Sequence, residues 1–156
     1  MGSEFGQRSE WYHERSLDWH LLQFEPHQGI QRWVRDLNHF LRNEKALYEC
    51  DFSLEGFEWI DASDWQQGVI SFIRRAPSTD EKLIVICNLT PVVRKNYRIG
   101  VPDGGYWKEV LSSDDKKYGG SHLINSGQDA QPEQIHGKKF SISLTLPSLS
   151  FLFFKK

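Results

Sequence analysis

The N-terminal segment holds the densest group of chemically useful side chains in the chain. Carboxylates and amides alternate there with flat rings, at Glu4, Gln7, Glu10, Trp11, Tyr12, His13, Asp18 and Trp19. This mixture suits a carbohydrate, because sugar hydroxyls form hydrogen bonds while the apolar sugar faces stack on aromatic rings. The alternative is a surface loop whose aromatic side chains cover the element that follows it.

The carboxylate pairs elsewhere in the chain do not predict catalysis. Glycoside chemistry requires two carboxylates held across one bond. Asp61 and Asp64 lie in a turn sequence, as do Asp114 and Asp115, and Asp is favoured in turns because it hydrogen-bonds the backbone. No GxSxG motif occurs, and the six His residues are scattered without metal-ligand spacing. We therefore predict no catalytic residue, no metal site and no cofactor in this chain.

Charge and composition exclude several classes of partner. The net charge is −2 and Lys and Arg are dispersed, which argues against nucleic acid or an anionic membrane. No apolar run approaches the roughly 20 residues that a membrane helix needs. Cys50 and Cys87 form no CxxC motif, which favours a reducing, cytoplasmic location. The aromatic content of 13% is high, as in β-rich cores and in sugar-binding surfaces alike.

One long helix is predicted after an aperiodic loop at residues 1–28. From Gln28 to Leu47 the apolar residues recur at the spacing of a single helical face, at Ile30, Trp33, Val34, Leu37, Phe40, Leu41 and Leu47. Such an apolar stripe must pack on another surface, because leaving it in water costs the free energy of apolar burial.

The remainder of the chain has the pattern of β-strands. Short runs rich in Val, Ile, Phe and Tyr are separated by turn sequences: FEWID, GVISFIRRA, LIVICNLT, NYRIGV, YWKEVLSS, EQIHG, KFSISLTL and SLSFLFFKK. LIVIC is continuously apolar, which is typical of a strand covered on both faces. Residues 112–132 are predicted to be a long polar loop. The predicted fold class is therefore mainly β, an antiparallel β-sandwich preceded by a loop and one long α-helix.

Several of these stretches together resemble one enzyme family. EFGQ, SLDWHLL, the helix sequence, GFEWIDASD, CNLTPVVRKNYRIGVP and YGGS are similar, in this order, to the C-terminal third of bacterial-type 1,4-alpha-glucan branching enzymes of the alpha-amylase superfamily. The resemblance implies a (β/α)8 catalytic barrel followed by an all-β domain. Residues 1–48 would be the end of the barrel, with its last loop and last helix, and residues 49–156 the C-terminal sandwich.

The resemblance also implies a function and a substrate. Family members transfer glucan from an α-1,4 to an α-1,6 linkage in glycogen biosynthesis, with catalytic carboxylates on earlier barrel strands whose motifs do not occur here. We therefore expect a C-terminal fragment that is inactive alone and that has two partners, an α-glucan and the N-terminal barrel part. Glu4, Gln7 and Trp11 are the predicted substrate-binding residues, since the loop after the last strand would border the glucan cleft.

Two further expectations follow from the same residues. The apolar stripe of the helix would pack on a barrel that this chain does not contain, or would cause self-association. The alternative function is a free-standing glucan-binding or interaction module that uses the sandwich and the Trp11 loop. Such a module should present an exposed aromatic row, for which Trp59, Trp65 and Trp107 are the candidates. Each of these three residues also suits a core or interdomain position.

Overall fold

Two antiparallel sheets form a sandwich in the computed structural model, which describes all 156 residues. The strands are β1 (Phe57–Asp61), β2 (Val69–Ala76), β3 (Glu81–Asn88), β4 (Arg94–Val101), β5 (Gly105–Ser112), β6 (Gly127–Ala130), β7 (Phe140–Leu146) and β8 (Ser150–Lys155). A six-stranded sheet has the order β1-β2-β3-β8-β5-β6, and a two-stranded sheet consists of β4 and β7. All pairs are antiparallel. The predicted fold class is confirmed.

Two strand predictions differ from the structure for local reasons. EQIHG forms no strand but only an isolated bridge between Ile135 and Lys138, because His136 has a φ of 52° that turns the chain back. Conversely, β6 lies inside the predicted 112–132 loop. Its sequence, GQDA, has little β-propensity, so only its pairing with β5 makes it a strand.

The helical part begins earlier than predicted and is interrupted. Helix α1 spans Glu25–Asn43, with Pro26 in its first turn, and α2 spans Lys45–Tyr48. Glu44 between them is extended and buried, and its carboxylate accepts a hydrogen bond from Lys155 Nζ at 2.7 Å. Short 3₁₀ segments occupy Ser3–Phe5, Trp19–Gln23, Leu54–Gly56 and Lys116–Tyr118.

Strand β3 is covered on both faces, as its continuous apolar sequence predicts. Ile84 and Ile86 point between the two sheets into the main core, which also contains Trp107 and Phe154. The alternate residues Leu83, Val85 and Cys87 form a second cluster on the outer face of the six-stranded sheet. This second cluster is the surface on which the helices pack.

The apolar stripe of the helix divides between two destinations. Trp33, Leu37, Phe40 and Leu47 pack on the outer face of the six-stranded sheet. Ile30 and Leu41 remain exposed, and Val34 is half-buried. The expectation that the stripe as a whole packs on an absent barrel is therefore wrong for the first group, because a stripe this wide presents two adjacent surfaces.

Two glutamates in the sandwich have pKa values shifted in opposite directions, so they should make the stability of the protein depend on pH in opposite ways. Burial raises the pKa of Glu109 above its ordinary value of 4.5, and the charges of Asp114 and Asp115 add to this effect. Burial would also raise the pKa of Glu58, but hydrogen bonds from Lys138 and Arg75 outweigh it and lower the pKa. The folded protein therefore holds the Glu109 proton more tightly, and the Glu58 proton more weakly, than the unfolded chain does.

We expect Glu109→Gln and Glu58→Gln to change stability in opposite directions at pH 7. Ionisation of the buried Glu109 carboxylate lowers the free energy of unfolding of the parent protein as pH rises above 4.5. Glu109→Gln lacks this loss, so its stability relative to the parent should increase as pH rises from 4.5 to 7. The Glu58 contribution is present above pH 4.5 and is lost as pH falls, so Glu58→Gln should be less stable at pH 7 and closer to the parent in acid. Urea unfolding between pH 3.5 and 7 measures both, and parallel pH curves for the two variants would contradict the assignment.

Candidate functional site

The N-terminal loop folds back on itself through its own backbone. The amide of Gln7 donates to the Gly2 carbonyl at 2.9 Å, and the amide of Gly6 donates to the Ser3 carbonyl at 3.1 Å. Gly6 has a φ of 69°, a left-handed conformation that favours glycine. A Cβ on Gly6 would also lie 2.7 Å from Ile30 Cδ1, so the turn is pressed against the first part of α1.

Phe5 anchors this turn. Its side chain is fully buried and its ring lies against that of Trp19, with centroids 5.2 Å apart and planes inclined at 29°. The Phe5 carbonyl accepts a hydrogen bond from His27 Nδ1 at 2.8 Å, so the buried His27 carries a proton on Nδ1. Apart from Gly2, Phe5 and Leu21, the side chains of residues 1–24 are exposed or half-buried.

Gln7 uses both ends of its amide within the loop. Its Nε2 donates to the Ser9 carbonyl at 3.0 Å, and its Oε1 accepts from the Asp18 backbone amide at 2.9 Å. These two bonds connect the start of the loop with its return toward α1. The second Nε2 hydrogen stays available, because a primary amide has two donors.

Trp11 lies beside Gln7, whereas Glu4 does not. Trp11 is 50% exposed and shares a small cleft of about 60 Å³ with Gln7, Tyr12, Arg15 and Asp18. Glu4 instead lines a separate cleft of about 290 Å³ along the outward side of α1, together with Gln31, Val34, Arg35, Asn38, His39 and Arg42. The structure thus brings two of the three predicted substrate-binding residues together and places the third on another surface.

Trp59, Trp65 and Trp107 do not form an exposed aromatic row. Trp107 is fully buried in the main core and its indole N–H donates to the Asp103 carbonyl at 3.1 Å, so it cannot stack on a sugar. Trp59 is 52% exposed and packs at right angles to Phe57, at a centroid distance of 4.9 Å. Trp65 is 82% exposed. Trp59 and Trp65 therefore remain as possible platforms, and Trp107 is a core residue.

Two exposed apolar side chains, Phe52 and Leu54, were not among the binding residues predicted from the sequence. Phe52 and Leu54 are almost fully exposed in the connection from α2 to β1. The sequence signal is the presence of large apolar residues in a stretch whose other residues favour a turn, since such residues are exposed and can mark an interaction site.

The acidic pairs serve the turns in which they lie. Asp61 accepts hydrogen bonds from the amide and hydroxyl of Ser63, at 2.8 and 2.7 Å, and Asp64 accepts one from the Tyr97 hydroxyl at 2.7 Å. Asp114 is buried and accepts from Ser121 and from the Leu123 amide. No group of three or more His, Cys, Asp or Glu side chains is placed to hold a metal ion.

None of the helices has both the length and the apolar character needed to span a membrane.

The fold and the comparisons with known proteins define the class of this chain. Residues 59–156 match the family described as "Alpha amylase, C-terminal all-beta domain", and the chain belongs to this family. This result agrees with the sandwich and with the resemblance drawn from the sequence motifs.

Similar proteins include 1,4-alpha-glucan branching enzymes named GlgB. The one from Aquifex aeolicus (strain VF5) is 56% identical over 99% of this chain and 25% of its own length. That from Cereibacter sphaeroides is 51% identical over 98% of this chain and 21% of its own length. That from Synechococcus elongatus is 49% identical over 97% of this chain and 20% of its own length. The chain thus spans a fifth to a quarter of the length of these relatives.

Proposed function

We propose that this chain acts as the C-terminal part of a 1,4-alpha-glucan branching enzyme in glycogen biosynthesis. The observation that carries the proposal is the match to branching enzymes at 49–56% identity over 97–99% of the chain. The match includes the N-terminal loop and α1 as well as the sandwich. A sandwich domain alone occurs with many functions, so the loop and helix make the proposal specific.

The catalytic step itself requires residues outside this chain. In a retaining transfer, a carboxylate attacks the anomeric carbon while a carboxylic acid protonates the oxygen that leaves from the α-1,4 bond. A 6-hydroxyl of a glucan then displaces the carboxylate and forms the α-1,6 bond, giving its proton to the residue that was first the acid. Asp61, Asp64 and Asp114 are occupied in turns. We therefore expect no activity from this chain alone.

The part of this chain in the reaction is to complete the barrel and to border the glucan. We propose that residues 1–48 belong to the catalytic barrel and residues 49–156 to the C-terminal sandwich. In a barrel enzyme the loops after the strands surround the substrate, which would put Gln7 and Trp11 at the glucan. Glu4, on the outward side of α1, would contact glucan only where the cleft extends along that helix. The Trp11 ring and the free Nε2 hydrogen of Gln7 suit a sugar face and a sugar hydroxyl.

Helix α1 would contact both the C-terminal sandwich and the N-terminal barrel part. One side of its stripe packs on the six-stranded sheet, and the other side presents Ile30, Val34 and Leu41 outward. We propose that the N-terminal barrel part covers these three residues. The self-association considered above would use the same surface. A cytoplasmic location belongs to this proposal, since Cys50 and Cys87 are both free thiols.

A chimera tests the proposed function. In the Aquifex aeolicus branching enzyme, the segment that matches this chain, 25% of that enzyme's length, is replaced by this chain. Branching of amylose is followed by the loss of iodine staining and by the side chains that a debranching enzyme releases. We expect activity from the chimera and none from this chain or from the truncated Aquifex enzyme. A well-folded chimera without activity would contradict the proposal.

The Trp11 prediction is tested in the same chimera. Trp11→Ala should raise KM for amylose about tenfold with a smaller change in kcat, because losing roughly 55 Å² of apolar contact with one sugar face costs about 1.4 kcal/mol. Tyr106→Ala, which removes an aromatic ring of similar exposure, 51%, from β5 of the sandwich, is the matched control and should leave KM unchanged. Equal effects of the two substitutions would remove Trp11 from the proposed site.

A free-standing glucan-binding module is the second candidate, favoured by the exposed Trp59 and Trp65. Affinity electrophoresis of this chain in gels containing glycogen distinguishes it from the first. Retardation that Trp59→Ala or Trp65→Ala abolishes would support the module. A chain that migrates equally with and without glycogen excludes it.

A further inference from the structure

The segment at residues 114–121 of the sandwich is held in one conformation by its own hydrogen bonds. The buried Asp114 carboxylate accepts from the amide and hydroxyl of Ser121 and from the amide of Leu123, at 2.8–3.0 Å. Asp115 accepts from the Lys117 amide at 3.0 Å and caps the short 3₁₀ turn. Because polar groups of the segment satisfy one another, it forms a rigid projection from the end of β5.

This segment contacts α1 directly through its backbone. A Cβ on Gly29 would lie 2.3 Å from the Tyr118 carbonyl oxygen, so the helix and the segment approach as closely as glycine permits. One turn further along the helix, Arg32 Nε donates to the Lys117 carbonyl at 2.6 Å. The two contacts fix the position of the helix along the segment.

The side chains of the segment extend the contact by another turn. The ring of Tyr118 meets Trp33 edge to face at a centroid distance of 5.0 Å. The Tyr118 hydroxyl donates to Asp36 Oδ2 at 2.7 Å, and Lys117 Nζ lies 3.1 Å from the same oxygen. A buried tyrosine bonded to a carboxylate is sensitive to rotation of the helix about its axis, because Asp36 would leave hydrogen-bonding distance.

The same turns of α1 hold the N-terminal loop. His27 bonds the Phe5 carbonyl, and Ile30 lies against Gly6. Gly29, which touches Tyr118, lies between these two residues in the sequence. The buried side chains in residues 1–24 are Phe5 and Leu21, and both lie near this end of the helix, beside His27. The contacts of α1 with the sandwich and with the loop therefore lie within one helical turn of each other.

We propose that Tyr118 and Asp36 are positioning residues for the N-terminal loop. The 114–121 segment of the sandwich fixes α1 from Gly29 to Asp36, and α1 in turn fixes Gln7 and Trp11. This inference assigns the sandwich a role in arranging the glucan-binding loop, and in that respect it rests on the proposed function. The physical link between segment, helix and loop does not depend on which ligand the loop binds.

Amide hydrogen exchange on this chain tests the link, with Tyr118→Phe as the variant and Tyr97→Phe as a matched control. Each substitution removes one tyrosine hydroxyl that donates to an aspartate at 2.7 Å, but Tyr97 bonds Asp64 on the side of the sandwich away from α1. We expect exchange at Gly6, Gln7 and Leu21 to accelerate about tenfold in Tyr118→Phe. In Tyr97→Phe these amides should exchange as in the parent protein.

Substitution of the partner separates positioning from general loss of stability. Asp36→Ala should accelerate loop exchange as Tyr118→Phe does, whereas Asp36→Asn retains an oxygen acceptor for the tyrosine and should stay within about threefold of the parent. Equal exchange at residues 5–21 in the parent, Tyr118→Phe and Asp36→Ala would overturn the inference. So would acceleration of the same size in the Tyr97→Phe control.

The chimeric enzyme gives the functional readout. There we expect Tyr118→Phe to raise KM for amylose about three- to tenfold with kcat nearly unchanged, since the loop binds substrate and the reacting carboxylates are elsewhere. An unchanged KM together with accelerated exchange would contradict the role in glucan binding while leaving the physical link in place. An inactive chimera would contradict the proposed function, and the exchange measurement would still decide the link.

Discussion

Replacement of Trp107 by alanine is expected to lower the free energy of unfolding of this chain by about 3–5 kcal/mol. The indole is fully buried on β5, between the six-stranded sheet and the β4–β7 pair, where it belongs to the main core. Its removal leaves a cavity that the rigid sheets on either side cannot close. It also leaves the Asp103 carbonyl without the hydrogen bond that the indole N–H donates. A loss of this size is a large part of the stability of a typical domain.

Urea unfolding followed by circular dichroism measures this effect, and the chain supplies its own control. Trp65→Ala removes the same side chain from a site that is 82% exposed, and should change the free energy of unfolding by no more than about 0.5 kcal/mol. Trp107→Phe, which keeps most of the volume, should fall between the parent and Trp107→Ala. Similar losses for Trp107→Ala and Trp65→Ala would mean that Trp107 does not hold the two sheets together.

The second large effect is expected at the exposed half of the helix stripe. In the chimeric enzyme, Leu41→Asp should reduce branching activity by about a hundredfold or more. If the barrel covers this part of α1, the new carboxylate is buried without a partner, which costs about 3–5 kcal/mol. In this chain alone Leu41 is 46% exposed, so the same substitution should leave the unfolding midpoint nearly unchanged. A loss of activity in the chimera without a loss of stability in this chain alone would be specific to the proposed contact between α1 and the barrel.

Leu89→Asp is the control for this experiment. It makes the same chemical change at a leucine of similar exposure, 53%, in the connection between β3 and β4. The chimera with Leu89→Asp should keep its activity. Full activity of the Leu41→Asp chimera would show that this side of α1 faces solvent in the chimera, and the proposed cover by the barrel would be wrong.

Strand β3 illustrates how much of the fold the sequence contains. Its unbroken apolar run predicts burial on both faces, and the structure places the main core on one face and the helices on the other. The alternation in KFSISLTL likewise agrees with β7, where Ile142, Leu144 and Leu146 are buried. By contrast, β6 could not be predicted, because its residues have no preference for a strand until β5 pairs with them.

Less of the candidate site than of the fold could be predicted from the sequence. The mixture of polar and aromatic residues identified the loop, and the motifs identified its family. Neither indicated that Gln7 bonds Ser9 and Asp18, or that Glu4 lies along α1 apart from Trp11. Such contacts depend on how the loop closes, which local propensity does not determine.

The sequence by itself determined the class of the fold, the long amphipathic helix and the relationship to branching enzymes, because periodicity and motifs are local properties of the chain. Only the tertiary structure decided which apolar surface each residue meets. It divided the helix stripe between the sheet and the outside, buried Trp107 while exposing Trp65, and joined Asp36 to Tyr118 across 82 positions of the chain. The physical reason is that an apolar pattern requires cover without specifying its source, and contacts between distant residues follow from the topology that brings them together.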